Sequence, residues 1–416
     1  MPEIALRHNR DFRLLWIGQA VSTLGSNISA VSYPLLVLAT GGSAAAAGLI
    51  GFLAMLPNAV VQLPAGALVD RWDRKRVMLV SDAGRLIALA TVAIAVIAGS
   101  PPLALLAVAA LIEGTLSVFF NLAEFGAVRH VVPETQFSDA IAQNEARTRG
   151  AALLGQPLGG FLFGLRHAVP FLADAISYLI SFTTLAAIRA DFNDERTATS
   201  NLRRLPSEIR EGVGWIWRQP FLRAAALIFA ANNFIVQALV LSLIVLTREH
   251  GAPAGEIGLM LAGFGVGGLI GAIASPWLQS RISPRAVIAG SNWLCAIAIP
   301  LMALWPHPAP IAALAGAMAL LGPMVNVVMG TARLRLTPDA LLGRVTSASG
   351  VIAAGAIPFG SLIGGALLAR FGGQHTILIL AGLTVILAIV ATWSPDVRRY
   401  PAPEATRTAS RQFTPE

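Results

Sequence analysis

The stretch Gly66-Ala-Leu-Val-Asp-Arg-Trp-Asp-Arg-Lys-Arg-Val-Met-Leu79 puts six charged residues into the seven positions from Asp70 to Arg76, in a 416-residue chain of which 12% is charged. A carboxylate beside arginines can exchange ion-pair partners, and a small residue one turn earlier, Gly66, lets a second helix come close. Glu113 is the other reactive candidate, about twelve residues or roughly 18 Å into an apolar run read as helix. A carboxyl at such depth costs roughly 2.5–3.5 kcal/mol to insert, so it marks a proton site, a pathway or a buried partner. Asp82 and Arg85, three residues apart on one helical face, are expected to neutralise each other. Asp174 and Glu124 fall near the ends of their runs and read as structural. Neutral candidates for a substrate cavity or for interhelical hydrogen bonds are Gln19, Asn27, Asn121, Gln156, Asn232, Asn233, Gln237 and Asn326. Asn232 and Asn233 are adjacent, so one of them must point away from any single target.

Several chemistries are excluded. Lys75 is the only lysine and follows Asp-Arg-Trp-Asp-Arg, so no Gly-Lys-Ser/Thr phosphate loop exists. Cys295 is the only cysteine and lies in an apolar run, which rules out an internal disulfide or a cysteine metal cluster. No metal or cofactor is expected. A sequence pI near 11 suggests nucleic acid in a soluble protein. Here the placement of the charges gives a better explanation, and no nucleic-acid partner is expected.

Hydrophobic residues make up 55% of the chain and mean hydropathy is +0.68. Apolar runs near 20 residues, the length that spans a bilayer core as a helix, recur from end to end. Arg7, Arg10 and Arg13 precede a first run that continues to about Ala39, too long for a cleaved signal. Twelve spans are expected, at roughly 12–39, 44–69, 77–99, 102–128, 140–165, 169–189, 221–247, 256–279, 286–305, 309–332, 345–369 and 374–393. With that count, 26 of the 30 Arg and Lys residues fall on one face, leaving Arg166, Arg248 and Arg370 opposite and Arg85 inside a span. The positive-inside rule then makes both termini cytoplasmic. The fold class is an all-α membrane protein of twelve transmembrane helices in two six-helix bundles. The expected division is 1–189, a cytoplasmic linker at 190–220, 221–394, and a disordered cytoplasmic tail at 395–416.

The halves repeat. Pro133, Gly155, Gly159 and Gly160 fall on Pro338, Gly360, Gly364 and Gly365 at an offset of 205, and Arg71, Lys75 and Ser81 fall on Arg281, Arg285 and Ser291 at 210. Parallel six-helix repeats are an arrangement that transporters use to build a central site. Pro157 and Pro358 lie beside these glycines; each frees a carbonyl and allows a bend, so Gly155, Pro157, Gly159, Gly160, Pro358, Gly360 and Gly364 are expected to form packed or hinging seams.

Gly66-Ala-Leu-Val-Asp70-Arg71-Trp-Asp-Arg74-Lys75 resembles the loop between helices two and three of the major facilitator superfamily, with Asp73 where that family usually has Gly. The segment Asn9–Gly25 and Gly343-Arg-Val345 are similar to the macrolide-efflux and enterobactin-exporter branch. Gly150–Gly164 resembles the antiporter signature of helix five, with Gln156 in the proline position and Pro157 one later. Ser26 stands where the branch commonly has Asp. The resemblance implies a secondary transporter of the bacterial cytoplasmic membrane, not an enzyme, working by alternating access and most simply as a monomer among membrane lipids. It implies that Gly66, Asp70, Arg71, Arg74 and Lys75 form a cytoplasmic gate, with Asp70 contacting the other half when the outer side is open. It also implies proton-coupled export of a lipophilic or amphipathic small molecule, a drug or siderophore, with Glu113 as proton carrier. The rivals are a nutrient-uptake symporter and a non-transporting sensor or scaffold.

Overall fold

A computed structural model describes residues 6–99, 101–192, 205–279 and 281–398. Among them the chain is helical throughout. The elements are α1 (Arg10–Ala39), α2 (Ala44–Val60), α3 (Gln62–Val69), α4 (Arg74–Ile97), α5 (Leu103–Val131), α6 (Phe137–Leu165), α7 (Val169–Ala186) and α8 (Leu205–Arg218). The second series is α9 (Pro220–Glu249), α10 (Ala254–Gln279), α11 (Pro284–Leu304), α12 (Pro308–Leu320), α13 (Gly322–Leu336), α14 (Asp339–Trp393) and α15 (Pro395–Arg398).

Nine of the described helices or helix pairs are long and apolar enough to cross a membrane. Helices α2 and α3 form a tenth span with a 53° bend at Val61. Pro57 and Pro64 flank that bend, and neither offers an N–H to the helical ladder. The 55-residue α14 reverses at Gly372, whose φ of 76° lies in the left-handed region open to glycine, so it supplies two spans, 339–371 and 373–393. The twelfth is α6, 29 residues long, whose first turns carry Asp139, Glu145, Arg147 and Arg149. The described residues thus form an all-α membrane protein of two helical bundles, with ten candidate spans that become twelve when α14 is divided at Gly372 and α6 is included. Consecutive spans are antiparallel, so Arg10, the 70–76 loop, the start of α6, α8 and the start of α14 share one end, called here the basic end.

The caps follow local chemistry. Asn9, Ser43 and Ser283 accept first-turn N–H groups of α1, α2 and α11. Asp73, the residue that departs from the familiar loop pattern, caps α4 by accepting the Arg76 N–H at 2.9 Å. Within the expected polar linker, α8 is an amphipathic helix that lays Val213 and Ile216 on the apolar cluster of the second bundle. Its Trp215 indole donates to the Leu336 carbonyl at 3.2 Å, and Glu211 pairs with Arg344. Residues 193–204 of the linker and 399–416 of the tail lie outside the described residues.

Candidate functional site

Helix α1 carries Ser22, Ser26, Ser29 and Tyr33 at steps of four, three and four, which align them on one face. Helix α7 carries Asp174, Ser177, Tyr178 and Ser181, at steps of three, one and three, on the face toward α1, and the two helices pack along each other. Gly25 makes this approach possible, because a Cβ there would lie 2.8 Å from that of Ser177. Ser29 donates to Asp174 Oδ2 at 2.6 Å and Ser177 to Oδ1 at 3.0 Å. One turn further on, Tyr178 donates to Glu113 Oε1 at 3.1 Å while Tyr33 donates to Oε2 at 3.3 Å. Arg85 on α4 donates through Nη2 to the Tyr178 hydroxyl at 2.7 Å and to Ser26 Oγ at 3.0 Å. Its guanidinium lies 4.0 Å from the centroid of the Tyr178 ring, a cation–π contact. Below it, Ser181 donates to Asp82 Oδ2 at 2.6 Å and accepts from Gln19 Nε2 at 3.1 Å.

These contacts form a ladder through the interior of the first bundle: Asp174, Glu113, Arg85, Asp82. Asp82 and Asp174 are fully buried and Arg85 is 5% exposed. The expected mutual neutralisation of Asp82 and Arg85 holds only in part. Their closest approach is 3.9 Å, Asp82 Oδ1 and Arg85 Nε have no hydrogen-bond partner, and Arg85 turns instead toward Tyr178. Asp174, read from sequence as a structural residue at a helix end, is the outermost member of this ladder. No group of three His, Cys, Asp or Glu side chains among the described residues is arranged to hold a metal ion.

The second bundle is built differently. A cavity of about 450 Å³ opens among α9, α10, α11, α12 and α13, lined by Asn232, Asn233, Gln237, Asn292, Asn326 and Cys295 together with Phe229, Phe264 and Met329. Both adjacent asparagines line it and bond in different directions, Asn232 to Asn292 Oδ1 at 3.1 Å and Asn233 to the Ala353 carbonyl at 3.2 Å. Gln237 donates to Ser361 at 3.0 Å. Arg149 of α6 is the one residue of the first bundle on this wall. The 210 offset places Asn292 and Cys295 where the first bundle has Asp82 and Arg85, so neutral groups replace the ion pair. Apolar walls with a few fixed amides suit a lipophilic ligand that carries hydrogen-bonding groups.

Two seams join the bundles at the end away from the basic one. In one, Gly48 of α2 faces the first leg of α14, where an added Cβ would lie 2.5 Å from the Ser361 carbonyl and 2.8 Å from Gly365 Cα. In the other, a Cβ on Gly258 of α10 would lie 2.5 Å from the Gln156 carbonyl of α6, and Gly160 packs on Ala254 and Gly258. Arg248 adds a hydrogen bond of 3.0 Å to the Leu35 carbonyl. Gly155 and Gly159 pack on Asn27 and Ile28 of α1, and Gly360 and Gly364 on Phe234 and Ala238 of α9, within each bundle. Pro157 and Pro358 lie inside these helices.

The basic end is open. Gly66, Gly150 and Gly355 face empty space, with nothing within 4 Å of an added Cβ. The close helix approach expected at Gly66 is therefore absent in this conformation. Asp70 is exposed, while Arg74 donates to the Phe192 carbonyl at 3.0 Å and Lys75 to that of Ile188 at 2.6 Å. Arg71 is exposed beside them. Asn121 lies apart, on a second cavity of about 360 Å³ between α5 and α6, where Glu124 and Arg147 form a part-buried 2.9 Å pair.

Sequence reasoning had missed Tyr33, Tyr178, Asn292 and Arg149. A signal existed for the tyrosines: the chain has only three, and two of them meet at Glu113.

The sequence matches the transmembrane secretion effector family over residues 4–416. It is 26% identical to the multidrug efflux pump Tap of Mycolicibacterium fortuitum over 90% of this chain and 93% of that one. Identity to macrolide efflux protein A of Streptococcus pyogenes is 23% over 93% of this chain and 96% of the relative. Among solved structures, the nucleoside transporter NupG superposes with a TM-score of 0.73 at 11% identity, covering 94% of this chain and all of the other. A bacterial homologue of the iron transporter ferroportin in an inward-facing state gives 0.68 at 16%, covering 94% and 100%. Two helical bundles joined by glycine seams at one end thus accompany a family match along nearly the whole chain: it belongs to the transmembrane secretion effector family of major facilitator transporters.

Proposed function

We propose that this transporter exports a lipophilic or amphipathic small molecule, a drug or siderophore, across the bacterial inner membrane in exchange for protons. The bundles correspond to residues 1–189 and 221–394, a single chain forms the working unit, and the basic end with both termini faces the cytoplasm. The observation that carries this reading is the pair of interbundle glycine seams at one end, Gly48 on Ser361 and Gly365 and Gly258 on Gln156 and Gly160, with Gly66 of the basic loop unpacked and an amide-lined cavity in the second bundle. Arginine placement supports the orientation, since basic residues flanking spans are retained inside. With that orientation the conformation is inward-open, ready to take substrate from the cytoplasm or inner leaflet.

Export then requires the basic end to close and the seams to part. Closure would bring the 66–75 loop against the second bundle and give Asp70 an interbundle partner, which it lacks here. The charge ladder lies inside the first bundle, apart from the cavity. A proton on Glu113 would change the demand on Tyr178, which bridges Glu113 to Arg85 and sits on α7 against α1. Coupling would thus pass through the packing of α1 and α7 rather than through direct competition between proton and substrate. The names of the efflux relatives supply the direction and the substrate class.

The test is a susceptibility panel in a pump-deleted bacterial host. Expression should raise resistance to several lipophilic compounds and lower the accumulation of at least one, and a protonophore should remove both effects. Accumulation that rises on expression would mean uptake and reject the proposal.

A further inference from the structure

The ladder holds three carboxyl groups, the buried Asp82 and Asp174 and the half-buried Glu113, and one cation, Arg85. Fully ionised it would carry two uncompensated negative charges inside a bundle. Unpaired buried charge is avoided by proton binding wherever a proton is available. Only Asp82 has a cation within 4.0 Å, Arg85 at 3.9 Å. Glu113 and Asp174 are contacted by hydroxyl groups alone.

The serines around Asp174 serve both of its protonation states. Ser29 can donate to Asp174 Oδ2 at 2.6 Å or to the Ser26 carbonyl at 3.2 Å. Ser177 can donate to Asp174 Oδ1 at 3.0 Å or to the main-chain carbonyl of Asp174 at 2.7 Å. When a serine turns to its carbonyl, its oxygen becomes an acceptor for a protonated carboxyl. The proton can therefore come or go with two hydroxyl rotations and no helix movement. Around Asp82, by contrast, Oδ1 has no hydrogen-bond donor and lies 3.9 Å from Arg85 Nη1, which suits an ionised carboxylate.

We infer that the inward-open state holds two protons, on Glu113 and Asp174, with Asp82 ionised against Arg85, and that two protons return per export cycle. This deepens the proton-coupled reading above and rests on it. Asp174 becomes a proton-binding residue rather than a structural one. In each cycle both protons enter from the outer side and both leave toward the cytoplasm, with no redox or covalent step.

Infrared spectroscopy of the purified full-length protein in lipid nanodiscs at pH 8 tests this without a substrate, since exposed carboxyls are then ionised and only protonated ones show an acid C=O stretch. The wild type should show two such bands. Glu113→Gln should delete one, Asp174→Asn the other, and Asp82→Asn neither. Should a variant fail to fold, the wild-type band count alone decides. One band or none would overturn the inference, as would a band lost in Asp82→Asn. Failure of the coupling reading looks different: both bands present, yet transport indifferent to a pH gradient.

Discussion

Gly48→Ala places a methyl group 2.5 Å from the Ser361 carbonyl oxygen and 2.8 Å from Gly365 Cα, where ordinary contact begins at 3.4 Å. The first leg of α14 must therefore move about 1 Å away from α2, and backbone atoms on both sides cannot swing aside as a side chain would. Overpacking of this kind costs roughly 1–3 kcal/mol. The cost falls on the conformation with closed outer seams and not on one in which they have parted. The equilibrium should thus shift outward by roughly 5- to 140-fold, at about 1.4 kcal/mol per factor of ten. Cys295 reads the result, because it is the only cysteine and lines the cavity. In right-side-out vesicles a membrane-impermeant thiol reagent should label wild-type Cys295 slowly and the Gly48→Ala protein faster, within that range. Gly258→Ala repeats the test on the other seam, where its methyl would lie 2.5 Å from the Gln156 carbonyl. Gly355→Ala, on the same α14 leg but facing empty space, should leave labelling unchanged. Unaltered labelling in both seam variants of a normally folded protein, or equal acceleration by Gly355→Ala, would refute the reasoning.

Other perturbations separate the parts of the machine. Tyr178→Phe keeps the ring beside Arg85 but removes the hydroxyl that bridges Arg85 to Glu113; transport should fall at least tenfold while membrane insertion and melting temperature change little. Glu124→Gln leaves Arg147 buried without its partner and should destabilise the protein by about 3–5 kcal/mol, seen as a lower unfolding temperature in detergent, whereas the double change to neutral residues should recover most of the loss. Asp70→Asn and Arg71→Ala should slow export without affecting insertion, since the proposed gate contact would form in the outward-open state; normal efflux by both would remove the loop from the mechanism. Asn292→Leu should change the ranking of exported compounds in the susceptibility panel, since it replaces a cavity amide and takes away the partner of Asn232.

The span plan was legible because it depends on local quantities: runs of bilayer length, prolines and glycines at their ends, and arginines sorted to one face. The bend at Val61 was not placed, although Pro57 and Pro64 signal a break, since hydropathy alone does not distinguish a straight span from a bent one. Glu113 stood out by its charge and depth. Its partners did not, because Ser26, Tyr33 and Tyr178 are unremarkable in membrane helices until α1 and α7 are known to pack face to face. The paired reading of Asp82 and Arg85 followed helical spacing correctly but could not anticipate Tyr178, which arrives from a different helix. Likewise Gln19, Asn27 and Gln156 looked equivalent to Asn232 and Gln237 in sequence; the structure places the first group in helix contacts and the second on the cavity wall. Asp73, a departure from the family loop, proved to be a helix cap, a role that its position three residues before Arg76 already permitted.

Proteoliposomes loaded with an exported compound from the panel, with membrane potential clamped and a pH step imposed, give the most direct test. An outward-to-inward proton gradient should drive the compound out against its own gradient in the wild type, and the double variant Glu113→Gln with Asp174→Asn should transport only downhill, at a rate independent of pH. Equal transport by the wild type with and without the gradient, or a gradient response that survives the double variant, would contradict the account.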